Sequence, residues 1–203
     1  MIASINNRII CLLLFIFTSV AYGVEDQSNR IEVLVNEDLI TKYDIVQRMK
    51  INAILNRLEI DDNNYKQLLN TVVDDLIVEK LKKKKVFEYN IDINKEEFNL
   101  HEKRFYLNLN YEKEELKELF SLNDINYNYL LEYIEIELKW QKLIYGLYLR
   151  ITSITDQEIN NFISKNPDIN KNVAKEILLQ KQLDIKSTKL IKDLRDEATI
   201  EYK

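Results

Sequence analysis

The sequence predicts a mostly α-helical protein with one small β element. Three observations lead there. The 203 residues include only two glycines and one proline, and strand-rich folds need such residues at their turns. Most of the chain repeats apolar residues at helical spacing. Alternating, β-branched runs occur only towards its two ends, at Ile31-Glu32-Val33-Leu34-Val35 and at Thr199-Ile200-Glu201-Tyr202. Neither strand is stable alone, so the two are expected to pair and close the chain on itself.

The N-terminus reads as a secretory signal over residues 1–23. Arg8 supplies the positive region, residues 9–20 are apolar, and Ala21-Tyr22-Gly23 places small residues at positions −3 and −1 of a cleavage site. As a helix the apolar run spans about 18 Å, short of the roughly 30 Å of a bilayer core. An uncleaved anchor is the alternative. The only cysteine, Cys11, lies inside the apolar run rather than at its end, which argues against a lipoprotein. Cleavage after Gly23 leaves about 180 residues without cysteine, enough for a sizeable core but with no disulfide to stabilise it in an oxidising compartment.

After Ile31-Glu32-Val33-Leu34-Val35, the sequence Asn36-Glu37-Asp38 is a turn and Leu39-Ile40 returns as a short strand. Thr41 caps a helix over residues 42–58, with Asp44 at the third position. Asp61-Asp62-Asn63-Asn64 is a loop. The clearest helix follows, with Leu68, Leu69, Val72, Val73, Leu76, Ile77 and Leu81 at helical spacing. It is expected to end in Lys82-Lys83-Lys84-Lys85, cations at the negative end of the helix dipole. Asn90 closes this region. Asn94 and Glu97 form a capping box for a helix to about Asn108, and residues 113–121 form a shorter one. Asn126 opens a long helix over residues 127–150, apolar on several faces and so expected at the centre of its domain. Thr155 and Glu158 form another box, for a helix to about Lys165. Beyond Pro167-Asp168-Ile169-Asn170-Lys171, helices are predicted over residues 173–182 and 185–197, separated by a break at Asp184.

The chemistry this composition allows is narrow. A net charge of −5, one unit more negative after loss of Arg8, leaves no basic surplus for nucleic acid. His101 is the only histidine and sits among Glu102, Lys103 and Arg104, which reads as a solvated helix face. No histidine–cysteine set for zinc and no glycine-rich phosphate loop can be built from these residues. The abundant Asn, Ile and Lys carry no chemical meaning in this reading. The aromatics offer more. The chain has twelve tyrosines, and many cluster with its one tryptophan over residues 106–148. Tyrosine combines contact area with a polar tip, useful for loosely specific binding of polypeptides. Tyr106, Tyr127, Tyr129, Tyr133, Trp140 and Tyr148 are the candidate peptide-binding residues, the alternative being ordinary packing of the long helix.

Several segments in this order resemble the SurA-type periplasmic chaperones. The opening I-E-V-L-V-N-E-D-L-I-T-K-Y-D over residues 31–44, the leucine-rich helix over 65–81, Asp124-Ile125-Asn126-Tyr127 ahead of the long helix, Arg150-Ile151-Thr152 with Thr155-Asp156-Gln157-Glu158-Ile159, and residues 176–203 are each similar to a family segment. The family's hairpin turn often carries glycine where this chain has Glu37 and Asp38. In that family, one or two parvulin-type prolyl isomerase domains stand where this chain has the five residues 167–171. A domain of that kind needs on the order of 100 residues.

The resemblance implies a helical chaperone body over residues 24–166, a short connector at 167–171 in place of the isomerase domains, and a C-terminal segment, 172–203, packing back on the same body. It implies a periplasmic holdase for unfolded outer-membrane proteins or other envelope polypeptides. No isomerase or other enzymatic activity, no cofactor, no metal and no membrane anchor after signal cleavage would go with it. The alternative is a structural adaptor that docks one specific envelope partner.

Overall fold

The computed structural model describes residues 29–203, and the predicted signal segment and Cys11 lie outside them. Mostly helical architecture with one small sheet is what it shows. The order is β1 (Ile31–Val35), β2 (Asp38–Thr41), α1 (Lys42–Leu55), α2 (Tyr65–Glu88), α3 (Lys95–Leu109), α4 (Lys113–Leu122), α5 (Tyr127–Tyr148), a 3-10 turn at Leu149–Ile151, α6 (Asp156–Lys165), α7 (Lys171–Glu197) and β3 (Ile200–Tyr202).

The terminal strands do pair. The antiparallel sheet has the order β2-β1-β3, so β1 is central. Val33 stands opposite Tyr202 and Val35 opposite Ile200, while on the other side Val33 faces Ile40 and Val35 faces Asp38. Alternation puts Val33, Val35 and Ile40 on one buried face, packed on Ile45 and Met49 of α1 and Val72, Leu76, Ile77 and Leu81 of α2. A second core joins Ile51 of α1 to Tyr106, Leu116, Phe120, Leu130 and Ile134. A third joins Val86 of α2, Ile136, Trp140, Leu143 and Ile144 of α5, and Leu183 of α7. Helix α5 contributes to the last two and contacts α1, α2, α3, α4 and α7, the central place its several apolar faces require.

Asparagine does much of the work that glycine does elsewhere. Asn36, Asn90 and Asn110 all have positive φ, near 50°, a region that costs Asn less than most residues because its short side chain bonds locally. Asn94, Asn126 and Asn170 cap helices with their side chains. The asparagines therefore serve the fold at its turns and helix caps. Asn36 also accounts for the hairpin turn without glycine. The three capping boxes form as their spacing predicts, at Thr41/Asp44, Asn94/Glu97 and Thr155/Glu158.

Four boundaries differ from expectation. Helix α1 stops at Leu55 rather than Leu58, because Arg57 takes φ 52° and the Leu58 N–H turns back to the Ala53 carbonyl at 2.8 Å. Helix α2 continues past the lysine run to Glu88. Lys82 and Lys85 are instead partners of Glu137 and Glu88. The connector keeps its five residues but shifts by one, to 166–170, since Lys171 is already the first residue of α7. The predicted break at Asp184 is absent, and α7 is one helix of 27 residues. Asp184 sits mid-helix on an exposed face, where its carboxylate accepts from Gln180 Nε2 at 2.8 Å. Leu183 beside it is buried on α5, so packing carries the helix through.

Gln47 supplies a contact that no pattern in the sequence signals. It is buried on α1, where its Nε2 donates to the Asp124 carbonyl at 3.1 Å and its Oε1 accepts from the Asn126 N–H at 2.8 Å. One amide thus fixes the α4–α5 turn against α1 and satisfies two backbone groups that burial would otherwise penalise.

Candidate functional site

A cleft of about 400 Å³ opens between α1, α2, α3 and α5. Ile51 and Leu55 of α1, Val78 of α2, Phe105 and Leu109 of α3, and Leu130 of α5 give it apolar surface. These positions follow from helical spacing, one turn apart on α1 and on α3. Polar side chains line the rest: Arg48, Asn52 and Asn56 from α1, Asp74, Asp75, Glu79 and Lys82 from α2, and Tyr129, Tyr133 and Glu137 from α5.

Two ion pairs cross the cleft walls. Arg48, only 4% exposed, donates to Glu79, and its guanidinium lies 4.8 Å over the Tyr133 ring. Lys82 Nζ meets the Glu137 carboxylate at 2.6 Å and stands 5.8 Å from the Trp140 ring centre. Both cations are stacked as well as paired. At the outer end Arg195 of α7 pairs with Asp74 at 2.6 Å. Burial pushes the Asp75 carboxyl above the usual range, partly offset by the Arg48 charge and a hydrogen bond from Asn52.

The six candidate aromatics divide between cleft and core. Tyr129 and Tyr133 line the cleft. The Tyr129 hydroxyl donates to Asp44 Oδ1 at 2.7 Å, which ties it to the first turn of α1. Burial, with a smaller push from Glu137, raises the Tyr133 hydroxyl to about 12, so it stays neutral. Tyr106 is only 5% exposed, donates to Glu102 Oε1 at 2.9 Å and bonds the Tyr127 hydroxyl. Lys113 completes this network on Glu102 at 2.7 Å. Tyr106 and Tyr127 thus join α3 to α5 rather than facing a ligand. Trp140 is 3% exposed and lies in the α5–α7 core, with Tyr148 packed against that core. These four pack between helices and do not line the cleft. Phe105 and Arg48 were missed as cleft residues. Phe105 lies at helical spacing with Leu109, but nothing in the sequence marks Arg48 as buried.

His101 is half-buried rather than solvated, and its neighbour Glu102 is buried. Burial lowers the His101 pKa against the pull of Glu137 and with a further push from Arg104. Being the only histidine, it gives one clean NMR titration. Its midpoint is expected below 6.5, so the ring is neutral at pH 7. Its contribution to stability is then complete above the unfolded-state pKa and declines as pH falls through the folded one. A midpoint at or above 6.5 would mean the ring is solvated.

Among the described residues, no three His, Cys, Asp or Glu side chains are grouped to hold a metal ion, and no helix is long and apolar enough to cross a membrane. Compared with known protein families the chain matches none, and no curated protein matches it.

Proposed function

We propose that this chain is a SurA-like periplasmic chaperone body that works without isomerase domains. It holds unfolded outer-membrane protein segments in the cleft between α1, α2, α3 and α5. The observation that carries the reading is the cleft itself: apolar side chains from all four of its helices, two tyrosines, and a volume of about 400 Å³. That lies at the small end of ligand sites and suits a few side chains of an extended segment rather than a folded partner. The ordered family-like segments and the signal-like N-terminus supply the compartment and the client class.

Binding by a small cleft is weak and reversible, which is what a holdase needs. Sequestering unfolded chains lowers the concentration available to aggregate, by mass action. No nucleotide is required, because release follows from low affinity. The test is light scattering from a urea-diluted outer-membrane β-barrel protein, with and without the purified chain, repeated with an unrelated barrel. Suppression of both near equimolar ratio is expected. Failure to suppress either by a folded protein would contradict the reading.

A structural adaptor is the second reading, and one observation favours it. Helix α6 packs on α7, and apolar side chains are exposed around this pair, with Ile151 71%, Val173 41% and Ile177 40% exposed. An adaptor would ignore unrelated unfolded clients and co-purify with one folded partner at fixed stoichiometry.

A further inference from the structure

The cleft carries an imbalance that neither its apolar surface nor its tyrosines require. Its walls hold four carboxylates, from Asp74, Asp75, Glu79 and Glu137, against two cations, Arg48 and Lys82. Three of the carboxylates are matched: Glu79 by Arg48, Glu137 by Lys82, and Asp74 by Arg195 from outside the cleft. Asp75 differs. Its hydrogen-bond partner is the Asn52 side chain, and Arg48 and Lys82 act on it only through their charge. Among the described residues no lysine or arginine makes an ion pair with it.

The same cleft shows how it treats a cation. Arg48 is held between the Glu79 carboxylate and the Tyr133 ring. Lys82 is held between Glu137 and the Trp140 ring. A carboxylate beside an aromatic face, partly screened from water, is a favourable setting for a guanidinium or ammonium group. Asp75, exposed at the cleft wall, offers a carboxylate without an ion-paired cation, in a cleft that also presents the Tyr129 ring.

We infer that the cleft selects extended polypeptide segments in which a lysine or arginine lies among apolar or aromatic residues, with Asp75 receiving the cation and the apolar surface receiving its neighbours. This rests on the client-binding reading above and specifies its substrate class. The segment's apolar side chains supply affinity, and its cation supplies selectivity, as charge complementarity generally does. Purely apolar segments bind more weakly, and acidic ones are repelled.

The experiment compares two labelled peptides of alternating aromatic and polar residues, identical except for one central Lys or Gln, by fluorescence anisotropy with the full chain. The Lys peptide is expected to bind about fivefold tighter, the scale of one partly exposed ion pair. The Asp75→Asn variant should bring the two within about twofold. Asp75 carries no ion pair, so this variant is expected to fold, and circular dichroism checks it. The Asp168→Asn variant removes the same charge from the α6–α7 loop and should keep the full preference. Equal binding of both peptides to the wild-type chain would overturn the inference and leave the client-binding reading standing. So would loss of the preference in Asp168→Asn to the same degree, which would mean long-range attraction by a net-negative chain. Binding of neither peptide by a folded chain would overturn both.

Discussion

Replacing Trp140 with alanine is expected to destabilise the protein by about 3–5 kcal/mol, the cost of removing a large buried aromatic. The ring fills the α5–α7 core beside Leu143, Ile144 and Leu183. Its Nε1–H donates to Ser187 Oγ at 2.8 Å, and Lys82 stands over one face. Truncation opens a cavity, removes a helix-to-helix hydrogen bond and takes away the surface under Lys82. For a chain of this size, each kcal/mol moves Tm by roughly 2–4 °C, so a fall of about 6–20 °C is expected in a circular dichroism melt. Trp140→Phe keeps most of the packing and loses the N–H bond, for about 1–2 kcal/mol. A Trp140→Ala melt within two or three degrees of wild type would mean that this contact does not hold α7.

Deleting residues 198–203 should lower stability by about 2–4 kcal/mol, a Tm fall on the order of 5–10 °C. The strand does more than end the chain. The Asn36 N–H donates to the Thr199 carbonyl at 2.8 Å and the Lys203 N–H to the Glu32 carbonyl at 3.0 Å. The Thr199 N–H donates to Asn36 Oδ1 at 3.0 Å. Ala198 and Ile200 pack on the core under the sheet. Removal turns β1 from a central strand into an edge, leaves its N–H and C=O groups unpaired on one side and invites pairing with another copy. Unchanged melting of the truncated chain would mean that the terminal strands do not depend on each other.

Local chemistry in this sequence reads clearly. Thr41, Asn94 and Thr155, each followed by an acidic residue three positions on, mark helix starts that the structure contains, because a capping box is satisfied within four residues. The pairing of β1 with β3 is also readable, because β3 has only the N-terminal hairpin to pair with. Features set by tertiary packing are not. Asp184 is a good cap residue in isolation, and only the burial of Leu183 on α5 decides that the helix runs through it. The lysine run looks like a helix end until Val86 is placed in the third core.

The candidate site divides in the same way. Periodicity shows that α5 is apolar on several faces but not which aromatic faces which neighbour. Tyr129 and Tyr133 line the cleft, whereas Trp140, seven residues beyond Tyr133 on the same helix, is in the core. Arg48 is the least readable of all. A lone arginine on an amphipathic helix reads as solvated, and its burial depends on Glu79 and Tyr133 arriving from two other helices. The carboxylate surplus at Asp75 is visible only once those pairs are assigned.

The central claim is that the cleft between α1, α2, α3 and α5 is where unfolded client binds. Site-specific photocrosslinking tests it most directly. A photoreactive side chain replaces Asn56 or Leu109 at the cleft, or exposed Lys84 and Lys189 elsewhere, and each protein is irradiated with a urea-diluted β-barrel client. Strong crosslinks from Asn56 and Leu109 and weak ones from Lys84 and Lys189 are predicted. Equal yield from all four positions, or higher yield from the lysine positions, would contradict the account.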